Sequence, residues 1–214
     1  MTNPINNLNG KTVVIITPAN SFTPPYLTSL VQTIKECNRF NIKIEFITNN
    51  GSHIGQLREI LAKKATGIIP GYDYLFWIDS DITWSFSDFI ELLNSPHKIT
   101  SGLYLVSQNG NLSAIRPGAS QDNSSTTFIN AREIHQLPKY IDVYAVGFGF
   151  LCIKNGVFES MQEPFFNNIK SELVNEFETS EDGAWCVNAR RSGYEIVCDT
   201  KVRVGHCKQS VWSI

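Results

Sequence analysis

Two kinds of apolar pattern alternate along this chain of 214 residues. Residues 13–17 and 75–78 are short, continuous apolar runs, the pattern of strands buried on both faces. Residues 42–48 place Ile42, Ile44 and Phe46 at every second position, which predicts another strand. Between these lie segments of helical spacing. Leu27, Leu30, Val31 and Ile34 recur at i, i+3, i+4 and i+7, and Pro24-Pro25 suits the start of that helix. Ile54, Leu57 and Leu61 predict a second helix over residues 53–65. Ser85 and Asp88 form a capping box ahead of Phe89, Leu92 and Leu93, which predicts a third.

The second half repeats the theme less regularly. Residues 99–106 read as a strand, and Asn109-Gly110 signals a tight turn returning through residues 112–116. Residues 117–138 are the least apolar stretch and predict a long surface excursion, of the kind that often serves as a lid. Residues 140–153 turn apolar again around Gly147-Phe148-Gly149-Phe150, where two glycines predict either close approach of the backbone to another group, such as a ligand, or a bend in a strand. Residues 171–180 are acidic and irregular. A helix opens at Glu181-Asp182 and ends at Gly193. Residues 194–198 form a strand, and Val202, Val204 and His206 lie in a last extended piece. Strands alternating with helices predict an α/β fold, a central mostly parallel sheet with right-handed crossovers and helices on both faces. No internal repeat or linker interrupts residues 1–214, which read as one domain.

Composition narrows the partners. Hydrophobic residues make up 42% and charged residues 18%, enough for a full core. The net charge of -2 offers no electrostatic footprint for nucleic acid. Five widely spaced cysteines, an odd number with no Cys-x-x-Cys pair, predict buried free thiols in a reducing compartment. The Asn-rich start has no signal-peptide pattern, and no apolar run reaches the roughly 20 residues of a membrane helix. A soluble, cytoplasmic protein without a membrane segment is expected.

The candidate chemistry begins where the apolar run at Leu75 to Ile78 meets Asp79-Ser80-Asp81. Ligands of open α/β sheets bind beyond the carboxyl ends of the strands. Alternate residues of an extended chain share a side, so both carboxylates face one way if the extended geometry persists. Paired hard oxygens suit Mg²⁺ or Mn²⁺ shared with substrate phosphates. His206 is a reasonable further ligand for Mn²⁺. Arg58, on the second helix, is either a bidentate phosphate clamp or a solvated residue. Asp182 is either a helix N-cap or a general base, with Glu181 in reserve.

These residues carry a resemblance. Leu75-Phe76-Trp77-Ile78-Asp79-Ser80-Asp81 resembles the DxD stretch of GT-A glycosyltransferases, whose fold is Rossmann-like. Gly147 to Ile153 resembles their glycine-aromatic segment beside the sugar. Glu181-Asp182-Gly183-Ala184-Trp185-Cys186 with Gly193-Tyr194 resembles their block near the acceptor. Val202-Arg203-Val204-Gly205-His206 resembles their closing segment, whose His can ligate the metal. The four blocks occur in order over residues 11–208. The resemblance implies a nucleotide-sugar donor, a divalent cation (Mn²⁺ or Mg²⁺) and a glycan or protein-linked glycan acceptor. It implies that Thr17, Pro18 and Ala19 lie against the base and that Arg58 touches the nucleotide. Asp79 would face the ribose or the metal with Ser80 beside it, Asp81 and His206 would ligate the metal, and Asp182 would be the base of an inverting transfer. The compact form also resembles glycosyltransferase domains of large DNA viruses and phages, among them a group acting on capsid glycans of algal viruses, which would work in the host cytoplasm. One departure is that the loop after the first strand lacks the usual acidic partner for uracil.

Two other classes fit parts of the pattern. Asp79-Ser80-Asp81-Ile82-Thr83 matches the Asp-x-Asp-x-Thr signature of haloacid-dehalogenase-type phosphatases. That signature normally follows the first strand, and no later Gly-Asp-x-x-x-Asp block is present. A catalytically inactive nucleotide-sugar-binding module is the non-enzymatic alternative.

Overall fold

The computed structural model describes residues 5–69, 71–116, 127–166 and 180–208. Residues 117–126 of the polar excursion and residues 171–179 of the acidic stretch lie outside them.

The first half builds as its patterns predict. Strand β1 (Thr12–Pro18) leads to helix α1 (Pro24–Arg39), strand β2 (Lys43–Asn49), helix α2 (Ile54–Ile68) and strand β3 (Tyr74–Ile78). β1 pairs in parallel with both β2 and β3. The crossovers run to opposite sides of β1, which creates a switch point between β1 and β3. Alternation in β3 feeds two cores. Leu75 and Trp77 join Leu57, Leu61 and Ala65 of α2 on one face, and Phe76 and Ile78 join Tyr26 and Leu30 of α1 on the other.

β4 (Ile82–Thr83) and helix α3 (Phe86–Leu93) follow, the helix opened by the predicted reciprocal bonds of Ser85 and Asp88. β5 (Ile99–Leu103) stops short of the predicted strand. Its continuation folds back at Gly110 (φ +86°) and bridges Leu105 to Leu112. The return strand β6 (Asn111–Ile115) pairs with β7 (Phe128–Asn130) and β9 (Ala145–Val146) in a separate three-stranded sheet. So the turn signal at Asn109-Gly110 holds, while the returning strand leaves its hairpin partner.

The main sheet has seven strands in the order β2-β1-β3-β10-β5-β11-β8, completed by β8 (Tyr140–Asp142), β10 (Phe150–Lys154) and β11 (Val197–Arg203). β10 runs antiparallel between β3 and β5, and β8 runs antiparallel to β11. The sheet is therefore mixed and mostly parallel. The short helix α4 (Val157–Ser160) follows β10. Helix α5 (Glu181–Arg191) packs its Trp185, Cys186 and Ala189 into the α2-side core. It ends at Gly193 in a left-handed conformation (φ +87°). β12 (Gly205–His206) then pairs with β4. Cys37, Cys152, Cys186 and Cys198 are buried free thiols and Cys207 is a partly buried one. Among the described residues, no helix is long and apolar enough to cross a membrane.

Candidate active site

The carboxyl ends of β3, β5 and β11, the first turn of α5 and the amino-terminal half of α2 meet at one edge of the sheet. β3 delivers Asp79, but the chain then turns: the Ile82 N–H donates to the Asp79 carbonyl at 3.0 Å. This turn overrides the extended geometry expected for Asp79-Ser80-Asp81, and the two carboxylates acquire different partners.

Asp79 turns toward α2, where its Oδ1 is 3.2 Å from Arg58 Nη2. Arg58 is only 3% exposed, and its Nε lies 3.2 Å from Asp182 Oδ1 and 3.7 Å from Glu181 Oε1. Its guanidinium also sits over the Phe148 ring at 5.1 Å. Burial opposes its charge, but Asp182, Asp79 and Glu181 outweigh that and keep Arg58 a firm cation. Read from sequence as either a phosphate clamp or a solvated residue, Arg58 is not solvated but enclosed beside three acids.

Asp182 is not the N-cap of α5. Ser180 fills that position and accepts from the Gly183 N–H at 3.1 Å. Asp182 lies in the first turn, where its Oδ2 accepts the Phe148 N–H at 3.1 Å. Its carboxyl is raised to about 7: burial pushes it up most, Glu181 and Asp79 add to this, and Arg58 and the Phe148 N–H pull it back down. A carboxylate that titrates near neutrality has the proton affinity of a general base.

Asp81 turns the other way. Its Oδ2 is 3.1 Å from His206 Nε2 and 3.2 Å from Lys208 Nζ, and its carbonyl accepts the Cys207 N–H at 2.7 Å. The pairing of β12 with β4 brings His206 here. A Cβ on Gly205 would meet Thr83 Cγ2 at 2.5 Å, so glycine lets the strands close. Burial alone would raise the Asp81 carboxyl, but His206 and Lys208 outweigh it and hold it below the usual range. The hydrogen bond to Asp81, more than any other contact, raises the His206 imidazole.

This pair fits a divalent cation. Neighbouring ligands of an octahedral ion at about 2.1 Å stand about 3 Å apart, and Asp81 Oδ2 and His206 Nε2 are separated by 3.1 Å. His206 Nδ1 lies 2.7 Å from the Leu105 carbonyl. The raised imidazole donates from Nε2 to Asp81 and from Nδ1 to the Leu105 carbonyl; a cation would replace the Nε2 proton while the Nδ1 bond keeps the ring oriented, as in metal-binding imidazoles. Among the described residues no group of three or more His, Cys, Asp and Glu is placed to hold a metal. The protein would supply two ligands, leaving the rest to substrate oxygens and water.

The remaining predicted residues lie at the carboxyl end of β1. Thr17 is fully buried and its hydroxyl is 2.5 Å from that of Tyr26. Pro18 is buried, and Ala19 is partly exposed with its N–H on the Asn49 carbonyl at 3.1 Å. The Ser80 carbonyl accepts the Thr23 N–H at 3.1 Å and the Thr23 hydroxyl at 3.2 Å, which ties this loop to the Asp79 turn.

Tyr104, absent from the sequence reading, stands in the middle. Its hydroxyl accepts the Gly149 N–H at 3.0 Å and its ring meets the His206 imidazole edge-on at 5.2 Å. The two glycines around Phe148 thus mark a close approach, as their pattern predicts, and what approaches is the Tyr104 side chain. Lys208 was also missed. Its signal was its position two residues after His206, which places a cation beside the acid His206 reaches.

No protein-family model and no curated protein matches the chain by sequence. Solved structures do match in fold. Protein A197 from STIV aligns over 95% of this chain and 97% of its own, with a TM-score of 0.58 at 16% identity. The catalytic domain of Drosophila beta-1,4-galactosyltransferase 7, in complex with xylobiose, aligns over 93% of this chain and 71% of its own, with a TM-score of 0.53 at 14% identity. A mutant of that enzyme in complex with manganese, UDP-Gal and xylobiose aligns over the same shares, with a TM-score of 0.52 at 13% identity. The chain therefore shares its mixed α/β fold with glycosyltransferase catalytic domains.

Proposed function

We propose that this chain is a glycosyltransferase that moves a sugar from a nucleotide-diphosphate donor, a UDP-sugar in preference, to an acceptor hydroxyl with inversion. The observation that carries the reading is the placement of Asp182. Arg58 and the Phe148 N–H hold its carboxylate, with a proton affinity suited to a base, and the same Arg58 holds Asp79 of the acid pair. The fold supports it, since the galactosyltransferase neighbour is described in complex with UDP-Gal, manganese and xylobiose. By that analogy the acceptor is a glycan or a protein-linked glycan.

Asp81 and His206 would hold the divalent cation, Mn²⁺ or Mg²⁺. When bound, such a cation stabilises negative charge on a departing diphosphate. Asp182 takes the proton of the attacking hydroxyl as the sugar carbon develops oxocarbenium character. Arg58 keeps Asp182 and Asp79 in fixed relation. Lys208 adds a second positive charge on the diphosphate side. Ala19, partly exposed at the end of β1 beyond the buried Thr17 and Pro18, would lie nearest the base, with Ser80 fixing the loop. No observation favours the phosphatase alternative, which needs Asp79 and Asp81 on one reacting phosphorus; here a turn sends them to different partners.

Hydrolysis of UDP-galactose in the presence of MnCl₂ tests the reading, because transferases leak some sugar to water. Turnover that disappears in Asp182→Asn while UDP binding persists supports it. A protein that binds UDP but never turns over is the inactive binding module.

A further inference from the structure

We infer that Tyr104 is a positioning residue for the proposed transfer, setting the backbone of Gly147-Phe148-Gly149 so that one short segment fixes both Asp182 and Asp79. The inference rests on the transferase reading for its kinetic consequence and on geometry for the rest.

The segment is a hub of backbone bonds. The Phe148 N–H holds Asp182 Oδ2 at 3.1 Å, and the Gly149 carbonyl accepts the Asp79 N–H at 3.1 Å. Two further bonds anchor it: the Gly147 N–H reaches the Ser113 carbonyl at 2.9 Å, and the Gly149 N–H reaches the Tyr104 hydroxyl at 3.0 Å. Tyr104 is well suited to hold it. The residue leaves the end of β5, where its carbonyl accepts the Ser113 N–H at 2.9 Å and its own N–H reaches Ser113 Oγ at 3.3 Å. Its side chain is buried at 6% exposure. Burial, with Asp79 and Asp182 nearby, raises its phenol well above the ordinary range, so the hydroxyl stays neutral. The fit is tight, since a Cβ on Gly149 would come within 2.6 Å of the ring. The ring's far edge against His206 extends the same rigid unit to the proposed cation site. A buried N–H deprived of its acceptor is costly to leave unpaired, so the segment shifts to find another partner.

Tyr104→Phe keeps the ring and removes only the acceptor. Amide hydrogen exchange of the wild type and the variant is the first readout. The inference expects Phe148, which makes no hydrogen bond to Tyr104, to exchange faster along with Gly149, each by about tenfold. In UDP-galactose hydrolysis with MnCl₂ it expects kcat to fall about tenfold while KM stays within about twofold. A change confined to Gly149, or a kcat that follows only the folded fraction, overturns it. A wild type that neither binds UDP nor hydrolyses UDP-galactose overturns the transferase reading, and the exchange measurement still decides the positioning.

Discussion

Arg58 Nε and Asp182 Oδ1 lie 3.2 Å apart at the centre of the site, and the guanidinium is shared with Asp79 and Glu181. One buried cation thus gathers three acids from two parts of the chain. Its removal leaves charges that have lost their solvent as well as their partner. Arg58→Met is expected to cost about 3–5 kcal/mol of stability, read from urea unfolding at pH 7. Arg58→Lys keeps the charge without the planar fork and should recover part of that loss. An unfolding midpoint unmoved by Arg58→Met would show that the three acids do not depend on this residue.

The raised carboxyl of Asp182 sets a pH dependence. Its folded pKa of about 7 lies above the ordinary carboxylate value, so the folded protein holds the extra proton between the two. The stability it contributes is full in acid and is lost as pH rises toward about 7. Asp182→Asn lacks this titration. Its melting temperature relative to the wild type should climb from pH 4 to pH 7, while turnover falls by at least about a hundredfold. Melting curves that stay parallel across this range would rule out the raised carboxyl.

Gly205 and Thr83 form a steric pair that closes β12 on β4. Gly205→Ala is expected to push His206 away from Asp81 and weaken Mn²⁺ binding, by about tenfold for one displaced ligand. Thr83→Ser removes the methyl group in the way and keeps the hydroxyl that meets Ser29 at 3.1 Å. The double variant should regain most of the affinity. Additive losses in the two variants would place the effect elsewhere.

Most of the frame was legible in the sequence because its signals are local. Continuous apolar runs gave β1 and β3, helical spacing gave α1 and α2, and the Ser85-Asp88 pair gave the start of α3. The acids fell at a strand end because the run before them is buried on both faces. What escaped depends on partners far apart in the chain. Nothing near residues 150–154 announces that β10 runs antiparallel between β3 and β5. The commitment of Arg58 to Asp79 and Asp182 spans 21 and 124 positions, and its burial follows from packing under Phe148 rather than from its place on α2. Tyr104 gave no signal of its own. The glycines at 147 and 149 registered that something approaches closely, without saying what.

The central claim is a cation-dependent nucleotide site built on Asp81. Its most direct test is calorimetric titration of UDP and GDP into the wild type and Asp81→Ala, with and without MnCl₂. The account predicts UDP binding that needs Mn²⁺ and disappears in Asp81→Ala, in a variant that remains folded. Folded wild-type protein that binds neither nucleotide in the presence of Mn²⁺ would contradict it.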